Sequence, residues 1–363
     1  MKVVVCAGGT GGHIYPALAI INKIKEKESL CEILYIGTTD RMESKIIPKL
    51  GIKFIGIEMK GIDRKNILKN FSVLLKYIKA KKKVKRILNE FKPDVVIGAG
   101  GYITAPVISV AHKMKIKTLI HEQNSIPGIT NKHLAKYADK ICVSLPDTIN
   151  YFDNSKVVYT GNPRSEEVIK ISPANKKDYG LVQSKKLVLI VMGSLGSTTM
   201  TKKIKQLIPL FNIKDYQVIV ITGNDYYKQY KSLNTPKNVA IVPYLDNLIN
   251  LLKSTDLIIS RAGATTISEI TAIGLPAILV PSPYVTNNHQ YKNAKELEKY
   301  GACRLITEEE FSKESVLPAI DEILNDDNNY FSMKNASLKL GVVDSATKIY
   351  NEIRKLIEDD NNE

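Results

Sequence analysis

The chain has 363 residues, 44% of them hydrophobic and 25% charged, with no Trp, an ordinary globular composition and enough length for two domains with cores of their own. Its formal net charge of +15 calls for an anionic partner, and charge alone does not choose among a phosphate substrate, nucleic acid and an acidic membrane surface. The four cysteines, Cys6, Cys31, Cys142 and Cys303, are scattered without a CxxC pair, which argues for reduced thiols in a cytosolic protein and against a disulfide scaffold or a zinc site.

The N-terminus leaves no room for a signal peptide, because the first strand runs directly into a glycine turn. No apolar run reaches the roughly 20 residues needed to span a bilayer. Val3, Val4 and Val5 are β-branched and apolar, as a parallel strand covered on both faces would be. Gly8-Gly9-Thr10-Gly11-Gly12-His13 follows. Ile14, Ala17, Leu18, Ile21 and Ile24 then take up helical spacing. A glycine turn feeding a helix N-terminus suits an anion, since free N–H groups and the helix dipole point at it. The spacing fits neither Walker A, which needs a Lys after the last Gly, nor the dinucleotide fingerprint, whose third glycine position is Ile14 here. Four glycines with His13 at the lip read as a ligand turn rather than a plain strand–helix connection.

The first half alternates strands and helices, with strands expected at 3–7, 33–36, 53–57, 94–99, 117–121, 140–143 and 157–160. That pattern implies a parallel sheet with ligands beyond the carboxyl ends of its strands. Those ends carry Gly8–His13, then Gly98-Ala99-Gly100-Gly101-Tyr102, then His121-Glu122-Gln123-Asn124, then Gly161-Asn162-Pro163-Arg164. One helix stands apart. Phe71, Leu74, Leu75 and Ile78 form one apolar quartet, and Val84, Ile87, Leu88 and Phe91 form a second. On a continuous helix the two lie roughly 140° apart. The second quartet then packs on the sheet, and the first, flanked by Lys79 and Lys82, rests on an anionic membrane surface. A helix break near Lys81 would instead place both in the core.

The polar, lysine-rich stretch 163–186 reads as a linker. Alternation then resumes, with strands expected at 187–192, 217–222, 239–242, 257–260 and 277–280, and a second glycine turn at Gly193-Ser194-Leu195-Gly196-Ser197. In Ser260-Arg261-Ala262-Gly263-Ala264-Thr265-Thr266-Ile267-Ser268-Glu269, a strand ends in a small-residue turn and a helix. Thr265, Thr266 and Ser268 bring hydroxyls to a helix N-terminus suited to a diphosphate. Glu269 in the first turn suits a ribose diol, or serves as a helix-dipole carboxylate. Gln290 follows a polar loop and suits sugar hydroxyls. The acidic tail 358–363 reads as disordered.

These motifs, in this order and with His289-Gln290 last, closely resemble those of the MurG family, the peripheral-membrane N-acetylglucosaminyltransferases of peptidoglycan synthesis. The resemblance runs essentially end to end. It implies an α/β protein of two Rossmann-like domains with a cleft between them, the glycosyltransferase-B fold. Residues 1–163 would form the acceptor-binding, membrane-associating domain and 164–340 the UDP-sugar-binding domain, with a C-terminal helix at about 341–358 packing back on the first. The implied reaction moves N-acetylglucosamine from UDP-N-acetylglucosamine to the muramoyl C4 hydroxyl of undecaprenyl-linked lipid I, inverting the anomeric centre and giving lipid II and UDP. It needs no cofactor and no metal at the donor diphosphate, and it is carried out at the cytoplasmic face of the membrane.

Carried over by position, Thr10, Gly11 and Gly12 would lie near the donor sugar and diphosphate, and Asn124 and Gln290 would hold the sugar. Ser194 and Ala264, Thr265, Thr266 and Ser268 would hold the diphosphate, Glu269 the ribose, and the main chain of Leu245 the uracil. Arg164 resembles a donor-site arginine. Gly9, Gly100, Gly101 and Tyr102 would face the acceptor diphosphate. Phe71, Leu75, Ile78, Lys79 and Lys82 would touch the membrane. The transfer needs a general base, for which His13 is the candidate and His121 and Glu122 the alternatives. The chain departs from the family at Leu195, where Gln is expected, and at Tyr244-Leu245, where Phe-Ile is expected, and its membrane patch lacks Trp. The competing readings are a UDP-N-acetylglucosamine 2-epimerase of the same fold, a non-catalytic UDP-binding module and a basic nucleic-acid-binding protein. The last lacks a recognisable motif, and its lysines cluster on one helix, so no nucleic-acid partner is expected.

Overall fold

A computed structural model describes residues 1–61, 70–193, 197–230, 233–245 and 248–361. It divides into two compact units, Met1–Arg164 with Asp344–Glu363, and Ser165–Val343.

The first unit is built on seven parallel strands: β1 (Lys2–Cys6), β2 (Glu32–Thr38), β3 (Lys53–Ile57), β4 (Val95–Gly98), β5 (Lys117–Glu122), β6 (Lys140–Val143) and β7 (Val157–Tyr159). Their order is β3-β2-β1-β4-β5-β6-β7, with Val3 paired to Ile33 on one side and to Val95 on the other. Helices α1 (Gly11–Lys27), α2 (Glu43–Lys49), α3 (Asn70–Phe91), α4 (Thr104–Lys113) and α5 (Ile129–Leu134) connect them. Strand side chains alternate between faces. Val4 and Cys6 therefore join Val84, Leu88 and Val107 in one core, while Val3 and Val5 join Ile14, Ile20 and Ile24 in the other. A central parallel strand buried on both faces must be apolar throughout, and β1 is.

The helix α3 is continuous, so the break near Lys81 does not occur. Ala80, Val84, Ile87 and Leu88 are buried, while Leu74, Leu75 and Ile78 are 46–54% exposed. Lys79 and Lys82 are exposed. The side chain of Phe71 lies outside the described residues. The phase of the two quartets on an unbroken helix leaves Leu74, Leu75 and Ile78 with no core to enter.

The second unit repeats the plan with six parallel strands: β8 (Leu187–Val191), β9 (Gln217–Ile221), β10 (Val239–Val242), β11 (Leu257–Ser260), β12 (Ala277–Leu279) and β13 (Arg304–Leu305), in the order β10-β9-β8-β11-β12-β13. Its helices are α6 (Ser165–Lys170), α7 (Thr198–Leu207), α8 (Asn224–Tyr227), α9 (Leu248–Leu252), α10 (Ala264–Ile273), α11 (His289–Lys299), α12 (Lys313–Asn325) and α13 (Asp327–Leu340). The stretch expected as a linker is folded into this unit. Val168 of α6 is fully buried, Ser165 Oγ donates to the Val342 carbonyl at 2.5 Å, and the Lys176 ammonium is drawn in by the Lys185 carbonyl and Asp256. Its polar composition hid these few anchors.

The last helix, α14 (Ser345–Asn361), returns to the first unit and packs against α1. Ile349, Ile353 and Leu356 bury into its core, and Tyr350 and Arg354 bond Glu28. The acidic tail is thus helical as far as Asn361 rather than disordered.

Candidate active site

In the first sheet the connections from β1 and from β4 leave in opposite directions along the strand order, so their carboxyl ends flank a switch point where α/β sheets bind ligands. The two glycine turns meet there. The Gly8 amide donates to the Gly100 carbonyl at 3.3 Å. Gly101 has φ +86°, and a Cβ on it would stand 2.3 Å from the Gly8 carbonyl oxygen. Thr10 is the N-cap of α1, and the Ile14 amide donates to its carbonyl at 3.2 Å. The first amides of a helix have no intrahelical acceptor, so those of Gly11 and Gly12 face outward.

His13 is half-buried at the third position of α1. Its Nδ1 lies 3.1 Å from the Gly8 carbonyl oxygen and 3.4 Å from Thr10 Oγ1. A carbonyl only accepts, so Nδ1 carries the proton and the lone pair resides on Nε2. The ring lies against Gly100, whose added Cβ would come within 2.5 Å of His13 Cδ2. Tyr15 holds Arg164, whose guanidinium stands 5.6 Å from the ring centroid. Tyr102, half-buried, accepts a hydrogen bond from Arg41, an interaction that raises the guanidinium's pKa.

Neither alternative base is placed to act. His121 is fully buried: its Nε2 faces the Gly161 carbonyl at 3.2 Å, and Gln123 Nε2 donates to its Nδ1 at 3.0 Å. Its lone pair is therefore occupied. Glu122 is also buried, and its carboxylate accepts from the Asn124 amide, Asn124 Nδ2, the Gly128 amide and Asn131 Nδ2 at 2.8–3.2 Å. It shapes the loop that presents Asn124.

Burial pushes the His121 pKa down to about 4, against the ordinary 6.5. Between those values the unfolded chain binds a proton that the folded chain refuses. Stability is accordingly expected to fall by about 3 kcal/mol as pH drops from 6.5 to 4. Denaturant unfolding across that range, compared with His121→Gln, isolates the contribution. Equal slopes for the two proteins would exclude it.

In the second unit the corresponding switch point lies between β8 and β11. Gly263 caps α10, and the Ile267 amide donates to its carbonyl at 2.9 Å. Ala264, Thr265 and Thr266 form the half-buried N-terminal end. Thr265 Oγ1 is buried and, among the described residues, has no hydrogen-bond partner. Two expectations need correction. The Ser268 hydroxyl is bonded back to the Thr265 carbonyl at 2.7 Å, so it is not offered at the helix end. Glu269 is the sixth helical residue, counted from Ala264, and 7% exposed, so it stands in the second turn of α10 rather than the first. At that depth the helix dipole gives little reason for a carboxylate, since its effect fades within the first turn.

Gln290 Oε1 accepts from the Ser282 amide at 2.8 Å, which fixes the polar loop ahead of α11 and orients the side-chain amide. Leu245, half-buried, follows the carboxyl end of β10. Ser194 lies outside the described residues, as does Leu195. Sequence reasoning gave no role to Arg261, Asn293 or Glu43. Arg261 bonds Glu308 at 2.7 Å, the Val280 carbonyl and Ser197 Oγ, tying β11 and β12 to the N-cap of α7. Asn293, fully buried, supports the turn before α10 through the Ala262 carbonyl. An arginine at a strand's carboxyl end was a visible signal. The other two are ordinary polar residues on helices, with nothing local to mark them. Among the described residues, no group of three or more His, Cys, Asp or Glu stands together to hold a metal ion.

Two tandem parallel-sheet units, each with a small-residue turn at its switch point, have the architecture of the glycosyltransferase-B fold, and the family models that match both halves make the class a glycosyltransferase. Residues 3–143 match the model of the glycosyltransferase family 28 N-terminal domain, and 187–349 that of its C-terminal domain. A relative from Halalkalibacterium halodurans, UDP-N-acetylglucosamine--N-acetylmuramyl-(pentapeptide) pyrophosphoryl-undecaprenol N-acetylglucosamine transferase, is 44% identical over 361 residues, 98% of this chain and 99% of its own. The crystal structure of Acinetobacter baumannii MurG superposes with a TM-score of 0.79 at 26% identity, covering 98% of this chain and 99% of that one. A Neisseria meningitidis UDP-N-acetylglucosamine 2-epimerase shares the fold, with a TM-score of 0.69 at 16% identity over 98% of this chain and all of that one. The chain belongs to the MurG family of glycosyltransferases.

Proposed function

We infer the reaction from this membership: the chain transfers N-acetylglucosamine from UDP-N-acetylglucosamine to lipid I in peptidoglycan synthesis. The observation that carries the reading is the near end-to-end identity of 44% to the curated transferase. The chemistry assigned to individual residues is our proposal. His13 Nε2 takes the proton of the muramoyl C4 hydroxyl as that oxygen attacks the anomeric carbon. The bond from the anomeric carbon to the diphosphate breaks on the opposite face, inverting the centre, and its electron pair leaves with UDP. The outward amides of α10 and the unpartnered Thr265 hydroxyl stabilise that charge. This supports transfer without a metal at the diphosphate.

Donor contacts are assigned to Thr10, Gly11, Gly12, Asn124, Arg164, Ser194, Leu245, Ala264, Thr265, Thr266, Glu269 and Gln290. Glu269, buried on the side of α10, is the ribose carboxylate. The acceptor diphosphate is assigned to the meeting glycine turns and Tyr102. The Gly9 amide is excepted, because it already donates to Glu43 at 3.1 Å. Labelled N-acetylglucosamine passing from the UDP donor to a lipid I analogue, with chelator present, tests the whole reading. Donor turnover without acceptor would favour the epimerase.

No helix among the described residues is long and apolar enough to cross a membrane. We assign peripheral attachment at the cytoplasmic face to the outward side of α3, where Leu74, Leu75 and Ile78 stand among lysines. Leu75→Glu with Ile78→Glu is expected to cut binding to anionic vesicles by about tenfold or more, from the lost apolar area and added repulsion. Transfer to a short-chain soluble acceptor should be retained. Unchanged sedimentation with vesicles would remove the assignment.

A further inference from the structure

We propose that Glu43 is a positioning residue for transfer, acting on His13 through a single peptide unit. This rests on reading His13 as the base. Glu43 stands in the first turn of α2 and is fully buried. Its Oε1 accepts from the Thr38 amide at 3.0 Å and the Thr38 hydroxyl at 2.7 Å, both at the end of β2. Its Oε2 accepts from the Gly9 amide at 3.1 Å. Gly8 leaves the space: a Cβ there would lie 2.4 Å from Glu43 Oε1.

The Gly9 N–H and the Gly8 C=O belong to one planar peptide unit. The carboxylate holds its N–H end, and the His13 ring bonds its C=O end at 3.1 Å. Fixing the plane fixes where the carbonyl oxygen points. A buried anion on the N–H also polarises the carbonyl, making it a stronger acceptor for Nδ1–H. The arrangement does for His13 what a directly bonded carboxylate does for other catalytic histidines, with a peptide between the two groups. It selects the Nδ1–H tautomer and leaves Nε2 as the basic atom. It also explains a buried carboxylate inside a turn whose open side is built for anions.

The test is imidazole 15N NMR on the full chain labelled in its histidines, with the His13 signals identified by their loss in His13→Ala. Wild type is expected to carry its proton on Nδ1. In Glu43→Gln that preference should collapse toward a tautomer mixture. The kcat for transfer should fall by about 10–100-fold, as small misplacements of a reacting group do, with KM for UDP-N-acetylglucosamine within about twofold. A wild-type Nε2–H tautomer would overturn the proposal without any variant, so it stands testable even if Glu43→Gln folds poorly. So would a folded Glu43→Gln with wild-type tautomer and kcat. The two readings fail differently: full activity of His13→Ala removes the base, whereas the tautomer readout judges Glu43 on its own.

Discussion

Replacing His13 with Ala is expected to lower kcat for transfer by about 10²–10⁴-fold, the usual contribution of a positioned general base. Binding of UDP-N-acetylglucosamine should stay within about twofold, since the base acts on the acceptor hydroxyl and its loss falls on the transition state. Among the described residues, His13 stands at the first switch point with Nδ1 3.1 Å from a backbone carbonyl, which in the neutral ring puts the lone pair on Nε2. His121 is buried with its lone pair occupied, and the Glu122 carboxylate already takes four hydrogen bonds. Neither can replace it without dismantling the loop that carries Asn124. Single-turnover transfer with donor binding measured separately checks this. A His13→Ala enzyme with wild-type single-turnover rate would return the base to an open question.

The second large effect is expected at Gly101. Alanine there meets two obstacles: a φ of +86° that L side chains rarely adopt, and the Gly8 carbonyl oxygen 2.3 Å from the new Cβ. The obstructing atom is backbone, so no rotamer relieves the contact. Gly8 is itself pinned by its bond to Gly100 and its carbonyl's bond to His13. The two turns must part, at about 3 kcal/mol or more. That corresponds to a Tm lower by roughly 6–12 °C for a unit of this size. Activity should fall beyond what the stability loss explains, because parting the turns moves His13. Calorimetry alongside transfer at a temperature where the variant is fully folded separates the two. A Gly101→Ala protein with unchanged Tm and kcat would mean the turns are not in contact.

Most of the fold was legible because parallel strands buried on both faces must be runs of β-branched and aliphatic residues, as β1, β8 and β11 are. The strand β13 escaped, being two residues long at a sheet edge with Arg304 exposed. The stretch 163–186 looked like a linker because its anchors are few and scattered, among them Ser165, Val168, Lys176 and Leu181, and the backbone between them is held by the side chains of Asn250, Lys253 and Ser254. The tail looked disordered by composition, yet Ile349, Ile353 and Leu356 keep helical spacing up to its acidic end. In the site, the turns themselves were visible. Which polar groups are already committed was not. His121, Glu122 and Ser268 carry suitable chemistry, and only their surroundings reveal that it is spent on structure. Glu43 was the converse: it follows Asp-Arg-Met with no periodic or motif signal, and its meaning comes from Thr38 and Gly9 reaching it in space.

The continuity of α3 has a mechanical consequence. The residues that face outward and those locked against the sheet are parts of one rigid rod, and α4, packed beside it, begins directly after the Gly101-Tyr102 turn. From Ile78 to Leu88 the rod rises about 15 Å. If its outward side rests on the headgroup layer, the height of the acceptor turn above the bilayer is set by the rigid packing of α3 and α4 rather than by a flexible tether. α3 would then act as a ruler, matched to how far a diphosphate-linked sugar projects from the lipid that carries it.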